Sequence, residues 1–209
     1  MYAEYLPQLL LGWSIILVAV ASPGPAVALI LGVGASQGRA PALAIVAGIG
    51  ASSLIWSTGT VLGLAAIFAT YADLILAARI AGALFMAYLA YKAFKTAVSP
   101  PELKPQTVGQ KSLGAFALTG FIMQVSNPKA IFFWLAVAAS GGVGNAPWQV
   151  VVLFVAGCFV LSVGGHGLYA LLLSSSPVRA TYAKARRWIE AGLGTLFAYF
   201  AFRIASERG

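Results

Sequence analysis

QLLLGWSIILVAVASPGPAVALILGVGAS, residues 8–36, carries no charged side chain and is interrupted once, by the Ser-Pro-Gly-Pro at 22–25. A helix rises 1.5 Å per residue and needs about 20 apolar residues to cross roughly 30 Å of hydrocarbon. The run is long enough for one crossing, and its break falls at the middle. Proline removes a backbone N–H and clashes with the preceding turn, freeing carbonyls that lipid cannot satisfy. A break at that depth must therefore face protein or water.

Five further apolar segments follow at 41–69, 74–95, 113–140, 148–174 and 188–205. The six use up nearly the whole chain of 209 residues, 60% of them hydrophobic and 9% charged. Soluble domains carry roughly 25% charged residues, so these charges cannot cover a water-facing surface. The segments lack barrel-strand alternation and are rich in Ala, Leu and Gly, which predicts an all-α membrane protein of six transmembrane helices. AVAS at 19–22 resembles a signal-peptide cleavage site. The stretch before it, however, has Glu4 and no Lys or Arg, and hydrophobicity resumes after the break, so no cleavage is expected.

A net charge of +8 would point to nucleic acid in a soluble protein; in a membrane protein the placement of the charges decides, and no nucleic-acid partner is expected. Lys92, Lys95, Lys104 and Lys111 flank the third loop, Arg179, Lys184, Arg186 and Arg187 the fifth, and Arg39 the first. The N-terminus and fourth loop have none, and the second loop sets Asp73 against Arg79. Cytoplasmic loops collect Lys and Arg, which puts the odd loops inside and both termini outside, with Arg203 and Arg208 as exceptions.

The Pro-rich TAVSPPELKPQTVGQK is too polar for a helix in lipid. It divides the chain into a first three-helix repeat (1–95), a cytoplasmic linker (96–111) and a second three-helix repeat (112–209). AYLAYK at 87–92 matches AYFAFR at 198–203, Ser22-Pro23 matches Asn127-Pro128, and Gly48 and Ser53 match Gly157 and Ser162. Three helices per half invert the second half relative to the first, the arrangement secondary transporters use for alternating access around a midplane site.

The fourth segment is broken by SNPK at 126–129. Ser22 and Asn127 are favoured N-cap residues, and Pro23 and Pro128 then fall at N1, where the missing donor costs nothing. Two half-helices thus point their positive ends at the centre, where they attract an anion. Lys129 lies at the same depth, where a cation costs roughly 2.5–3.5 kcal/mol and needs a partner or a function. One reading has it hold a substrate α-carboxylate. The other has it bind carbonyls freed by the first break and lock the halves together. Gln124 shares a helix face with Asn127. Ser52, Ser53, Ser57 and Thr58 either line a hydrophilic path or pack between helices, and Gly59 and Gly63, in GxxxG spacing, read as a close helix approach. His166, within GGHG, either carries protons or is a buried histidine satisfied by a neighbour. With Cys158 and His166 the only residues of their kinds, no disulfide within the chain, Cys/His metal site or cofactor is expected. A Walker loop is absent, and no acid/base pair supports an enzyme.

SPGP, QGR at 37–39, a Gly-rich second helix, AYLAYK, and GFIMQVSNPKAIFF at 120–133 together resemble the lysine exporter (LysE/RhtB) superfamily of bacterial amino-acid efflux proteins. The likeness runs through almost the whole chain. It implies export of amino acids across the inner membrane in exchange for protons, and it carries weight onto Pro23, Gly24, Pro25, Asn127, Pro128 and Lys129. Members often have a Gly-Asp pair in helix two, followed ten residues later by Gly; the spacing to Gly63 puts Ser52 and Ser53 there. Asp73 and Glu190 read as near helix ends, so the proton route falls to His166, to an end-located carboxylate, or to no carboxylate relay. A missing acid favours a neutral or aromatic substrate over a dibasic one. Trp56, Phe132, Phe133 and Trp134 then read either as an apolar pocket or as packing. The expectation is a secondary exporter in contact with an amino acid and membrane lipid, working alone or as a homodimer through glycine faces. The alternatives are a non-enzymatic structural partner or efflux of another small ion or metabolite.

Overall fold

The structure, a computed structural model, describes residues 3–64, 72–100, 109, 111–139, 143–144, 146–173 and 175–206. Most of the Pro-rich linker with Lys104, the side chains of Asp73, Arg79 and Arg203, and Arg208 lie outside the described residues. Among the described residues every regular element is helical. The first apolar run forms α1 (Leu6–Ala21) and α2 (Pro25–Gln37), bent by 48° at the Pro-Gly-Pro. α3 (Arg39–Gly59) continues into π-helical turns at Thr60–Leu64 and is followed by α4 (Ala72–Val98). Beyond the linker, α5 (Leu113–Val125) and α6 (Pro128–Ala139) meet at 57°, followed by α7 (Trp148–Leu172) and α8 (Ser176–Ser206).

Local chemistry explains the boundaries. Pro7 and Pro25 sit in the first turns of α1 and α2, where no N–H is needed. Ser112 caps α5 by accepting from the Ala115 N–H at 3.2 Å. Between α2 and α3, Gly38 takes φ 90°, a left-handed conformation that gives the QGR turn its need for glycine.

Two stretches, Arg39–Gly63 and Trp148–Leu172, are each long and apolar enough to span a membrane, and each bent pair makes a further span if counted as one. Helix length and composition thus support two to four of the six expected spans. α4 and α8 fall short of that measure; α8 opens with Arg179, Lys184, Arg186 and Arg187. It also begins at Ser176, well before the apolar segment expected at 188, because the helix needs no apolar residues to start. Large apolar side chains stand exposed around the molecule, among them Leu17, Leu62, Leu84, Ile122, Val160 and Phe202, a surface that suits lipid.

α3 packs on α5 and α7, α4 on α8, and α1 on α7 and α6. A Cβ at Gly48 would run into the Ala117 carbonyl, and one at Gly120 into the Ile45 carbonyl, so α3 and α5 touch backbone to backbone. Gly59 and Gly63 have nothing within 4 Å of a Cβ position. The expected close approach at that GxxxG does not occur among the described residues; it falls about three helical turns earlier, at Gly48. α1 and α7, by contrast, are held apart by rings: the Trp13 indole donates to the Phe154 carbonyl at 3.2 Å and covers Gly157.

Candidate functional site

The two helix breaks meet. Ser22, Gly24, Asn127 and Lys129 line both a cavity of about 650 Å³ and a smaller one of about 40 Å³ beside it. The large cavity reaches from the breaks to Thr96, near the end of α4, and to Tyr182 and Arg186, in the first half of α8. Toward the other end the way is filled by one buried cluster that includes Leu9, Ile16, Trp134, Val137, Val150 and Phe154.

The second break forms as its sequence predicts. Asn127 Oδ1 accepts from the Lys129 N–H at 3.1 Å, and the Asn127 carbonyl receives the Ile131 N–H at 3.0 Å, so Asn127 is the N-cap and Pro128 is N1. Gln124 joins it, its Oε1 accepting from Asn127 Nδ2 at 3.3 Å. The first break differs. Ser22 ends α1, its N–H bonding the Val18 carbonyl at 3.0 Å, while Gly24 is the N-cap of α2 and Pro25 its first residue. The expected cap at Ser22-Pro23 is corrected by two residues: of the two prolines, only Pro25 has a following turn that closes on the residue before it, through Ala28 N–H to the Gly24 carbonyl at 2.9 Å.

Carbonyls freed by that break find partners across the molecule. Tyr169 of α7 donates its hydroxyl to the Ala21 carbonyl at 2.9 Å, and Lys129 Nζ donates to the Ser22 carbonyl. Lys129 thus bonds a carbonyl freed by the first break, the contact named in the locking reading. An ammonium has three N–H donors, however, and Ser22 takes one; Lys129 also lines the large cavity. Gly24 leaves room for it, since a Cβ there would lie 3.2 Å from Lys129 Cδ and Nζ.

The remaining expected residues divide. Ser53, Ser162 and His166 line the small cavity. His166 Nδ1 lies 2.8 Å from the Ser162 carbonyl, which only accepts, so Nδ1 carries the proton and Nε2 is the other available atom. Ser52 and Ser57 are buried off the cavities, bonded back to the Ile49 and Leu54 carbonyls at 2.8 and 3.2 Å. Trp56 packs against the buried cluster at the closed end, not at the breaks. Phe133 and Trp134 border the small cavity, while Phe132 stacks on Phe85 with centroids 3.9 Å apart. The four aromatics therefore do not form one pocket.

Two residues of the site escaped the sequence reading. Tyr169 carries no motif. Glu190, expected near a helix end, stands in mid-α8, is 6% exposed and lines the large cavity with Lys129, Lys92 and Arg186. A legible signal existed: Arg186, Glu190, Leu193 and Phe197 recur at helical spacing and share one face, and all four line the cavity.

The sequence model of the LysE type translocator family matches residues 17–208 of this chain. The chain belongs to that family. It is 29% identical over 201 residues to the threonine efflux protein of Escherichia coli strain K12, covering 92% of this chain and 94% of that one. It is 25% identical over 198 residues to the threonine efflux protein of Salmonella typhi, with the same coverage. No solved structure matches at a significant level. Membership in the LysE type translocator family, with the apolar helices above, makes this a multi-pass membrane transport protein, and the resemblance read from the two proline breaks is correct. Both breaks, SPGP and SNPK, fall within the matched residues.

Proposed function

We propose that the chain is a secondary transporter that exports small neutral amino acids across the bacterial inner membrane by alternating access, in exchange for protons. The observation that carries this reading is the 650 Å³ cavity floored by both broken segments and Lys129. Its volume lies within the ~300–1,000 Å³ of small-ligand sites. The N-terminal ends of α2 and α6 and the Lys129 ammonium together offer positive potential to an α-carboxylate. The end to which the cavity extends carries Lys92, Arg186 and the start of the linker. By the positive-inside rule that end is cytoplasmic, the side from which an exporter loads, and both termini lie outside.

Helix pairing supports the 3+3 inverted repeat. Exchanging the halves, 1–95 against 112–209, exchanges α1·α7 with α5·α3 and returns α3·α7 and α4·α8 to themselves, and all of these pairs are in contact. The first pair is spaced by rings and the second touches at glycines. Unequal packing of equivalent pairs is what a molecule open toward one side requires.

For the substrate, the small cavity favours a short side chain. Its 40 Å³ admits little more than a water or a methyl-sized group, and Ser53, Ser162 and His166 on its wall suit a hydroxyl. This favours a threonine-like side chain over an aromatic or dibasic one, in keeping with the names of the relatives. The test is counterflow in proteoliposomes loaded with unlabelled amino acid, using labelled L-threonine, L-phenylalanine and L-lysine. Threonine should exchange fastest. Preferred lysine exchange would refute the substrate class, and no exchange of any amino acid would refute the transporter reading.

A further inference from the structure

Resting on the amino-acid reading, we infer that Glu190 is the exchange carboxylate of this transporter, holding either the substrate's α-ammonium or a proton but never both. Glu190 is the buried carboxylate among the described residues. It lies at the middle of α8, 6% exposed, on the wall of the cavity that holds the breaks and Lys129. Every other charged side chain on that wall, Lys92, Lys129 and Arg186, is cationic.

A zwitterion needs both signs. Lys129 and the two helix ends serve its carboxylate, and the wall offers one anionic group for its ammonium. Glu190 Oε1 is paired with Arg186 Nε at 3.7 Å, one turn earlier on the same helix. A carboxylate has two oxygens and about four lone-pair sites, so an ammonium can join from the cavity without displacing Arg186. The charges that act on it come from two other helices as well as its own, Lys92 of α4, Lys129 of α6 and Arg186 of α8, and it acts in turn on the hydroxyls of Tyr169 on α7 and Tyr182 on α8.

Competition at one carboxylate is sufficient for antiport. With the cavity open to the cytoplasm, the carboxylate binds an R–NH3⁺ and releases any proton it holds. With the cavity open outward, the amino acid leaves, a proton takes its place on Glu190 as the neutral acid, and the return brings that proton inward. One zwitterion, with no net charge, moves out for each proton moved in, and no other reactant is needed. In this scheme the proton travels on Glu190, and His166, whose Nδ1–H is donated to the Ser162 carbonyl, need not change its protonation.

The test compares wild type, Glu190→Gln and Glu190→Asp in proteoliposomes with L-threonine as probe. In wild type, an imposed pH gradient should drive accumulation, and apparent affinity should fall as pH falls. In Glu190→Gln, gradient-driven accumulation should drop at least tenfold, while threonine–threonine exchange persists with weaker affinity that no longer varies with pH. Glu190→Asp should keep coupling with a shifted pH profile. Wild-type accumulation by Glu190→Gln overturns the inference. Should that variant not fold, an unshifted profile in Glu190→Asp overturns it instead. Wild type that moves no amino acid fails the transporter reading itself, a result separate from either.

Discussion

Replacing Lys129 with methionine separates its two roles by experiment. Methionine is unbranched like lysine, one atom shorter, and removes the charge. Two losses are expected. First, the Ser22 carbonyl, whose residue is 2% exposed, loses its cross-half donor; an unsatisfied buried acceptor costs about 1–3 kcal/mol of stability. Second, a bound α-carboxylate loses its cationic partner. At an effective dielectric near 20, opposite charges about 4 Å apart attract by about 4 kcal/mol gross. Part of that is spent on desolvating both ions, so the range for hydrogen bonds to charged groups, about 1.5–3 kcal/mol, is the better guide. At 1.4 kcal/mol per decade this weakens threonine binding roughly ten- to hundredfold. The assay is equilibrium binding by purified protein, with L-threonine and its carboxamide as ligands, alongside thermal unfolding. Wild type should prefer the acid over the amide by at least that factor, and Lys129→Met should lose most of the preference, keeping only what the two helix ends supply. A Lys129→Met protein that is less stable yet keeps the full preference for acid over amide would refute carboxylate binding and leave the lock between halves as its sole role.

Other substitutions test the geometry around it. Gly24→Ala is tolerated by its extended backbone but places a methyl 3.2 Å from Lys129 Cδ and Nζ; threonine affinity should fall several-fold with the unfolding temperature nearly unchanged. Gly48→Ala and Gly120→Ala drive a methyl into a neighbouring backbone carbonyl, so each should destabilise by ~1–3 kcal/mol or more in thermal melts in detergent. Gly59→Ala, with open space around it, should not, and stability lost there would show that the GxxxG face is packed in solution. His166→Gln should keep pH-gradient-driven accumulation; its loss would return the proton route to the histidine.

What is legible in the sequence follows from what a sequence encodes locally. Apolar runs and Pro-Gly punctuation are properties of neighbouring residues, so the helices, both midpoint breaks and the cap at Asn127 could be read directly, as could the family. The cap at the first break could not be placed to the residue, because Ser-Pro-Gly-Pro offers two prolines suited to N1 and only the closing of the turn on Gly24 chooses between them. Helix starts outside apolar segments are also poorly marked, which hid the first turns of α8 and so put Glu190 near an end instead of at the middle of a cavity wall.

The sequence by itself determined that this is a multi-pass helical membrane protein with two interrupted helices and a lysine beside one interruption, since lipid allows little else from such a composition. Which groups face one another was decided by tertiary structure alone. Lys129 meets Ser22, Tyr169 meets Ala21, and Glu190 shares a cavity with Lys129 from a distant helix. No periodicity records such pairings, because the freed carbonyls and buried charges find their partners only when α6, α7 and α8 close around the break between α1 and α2.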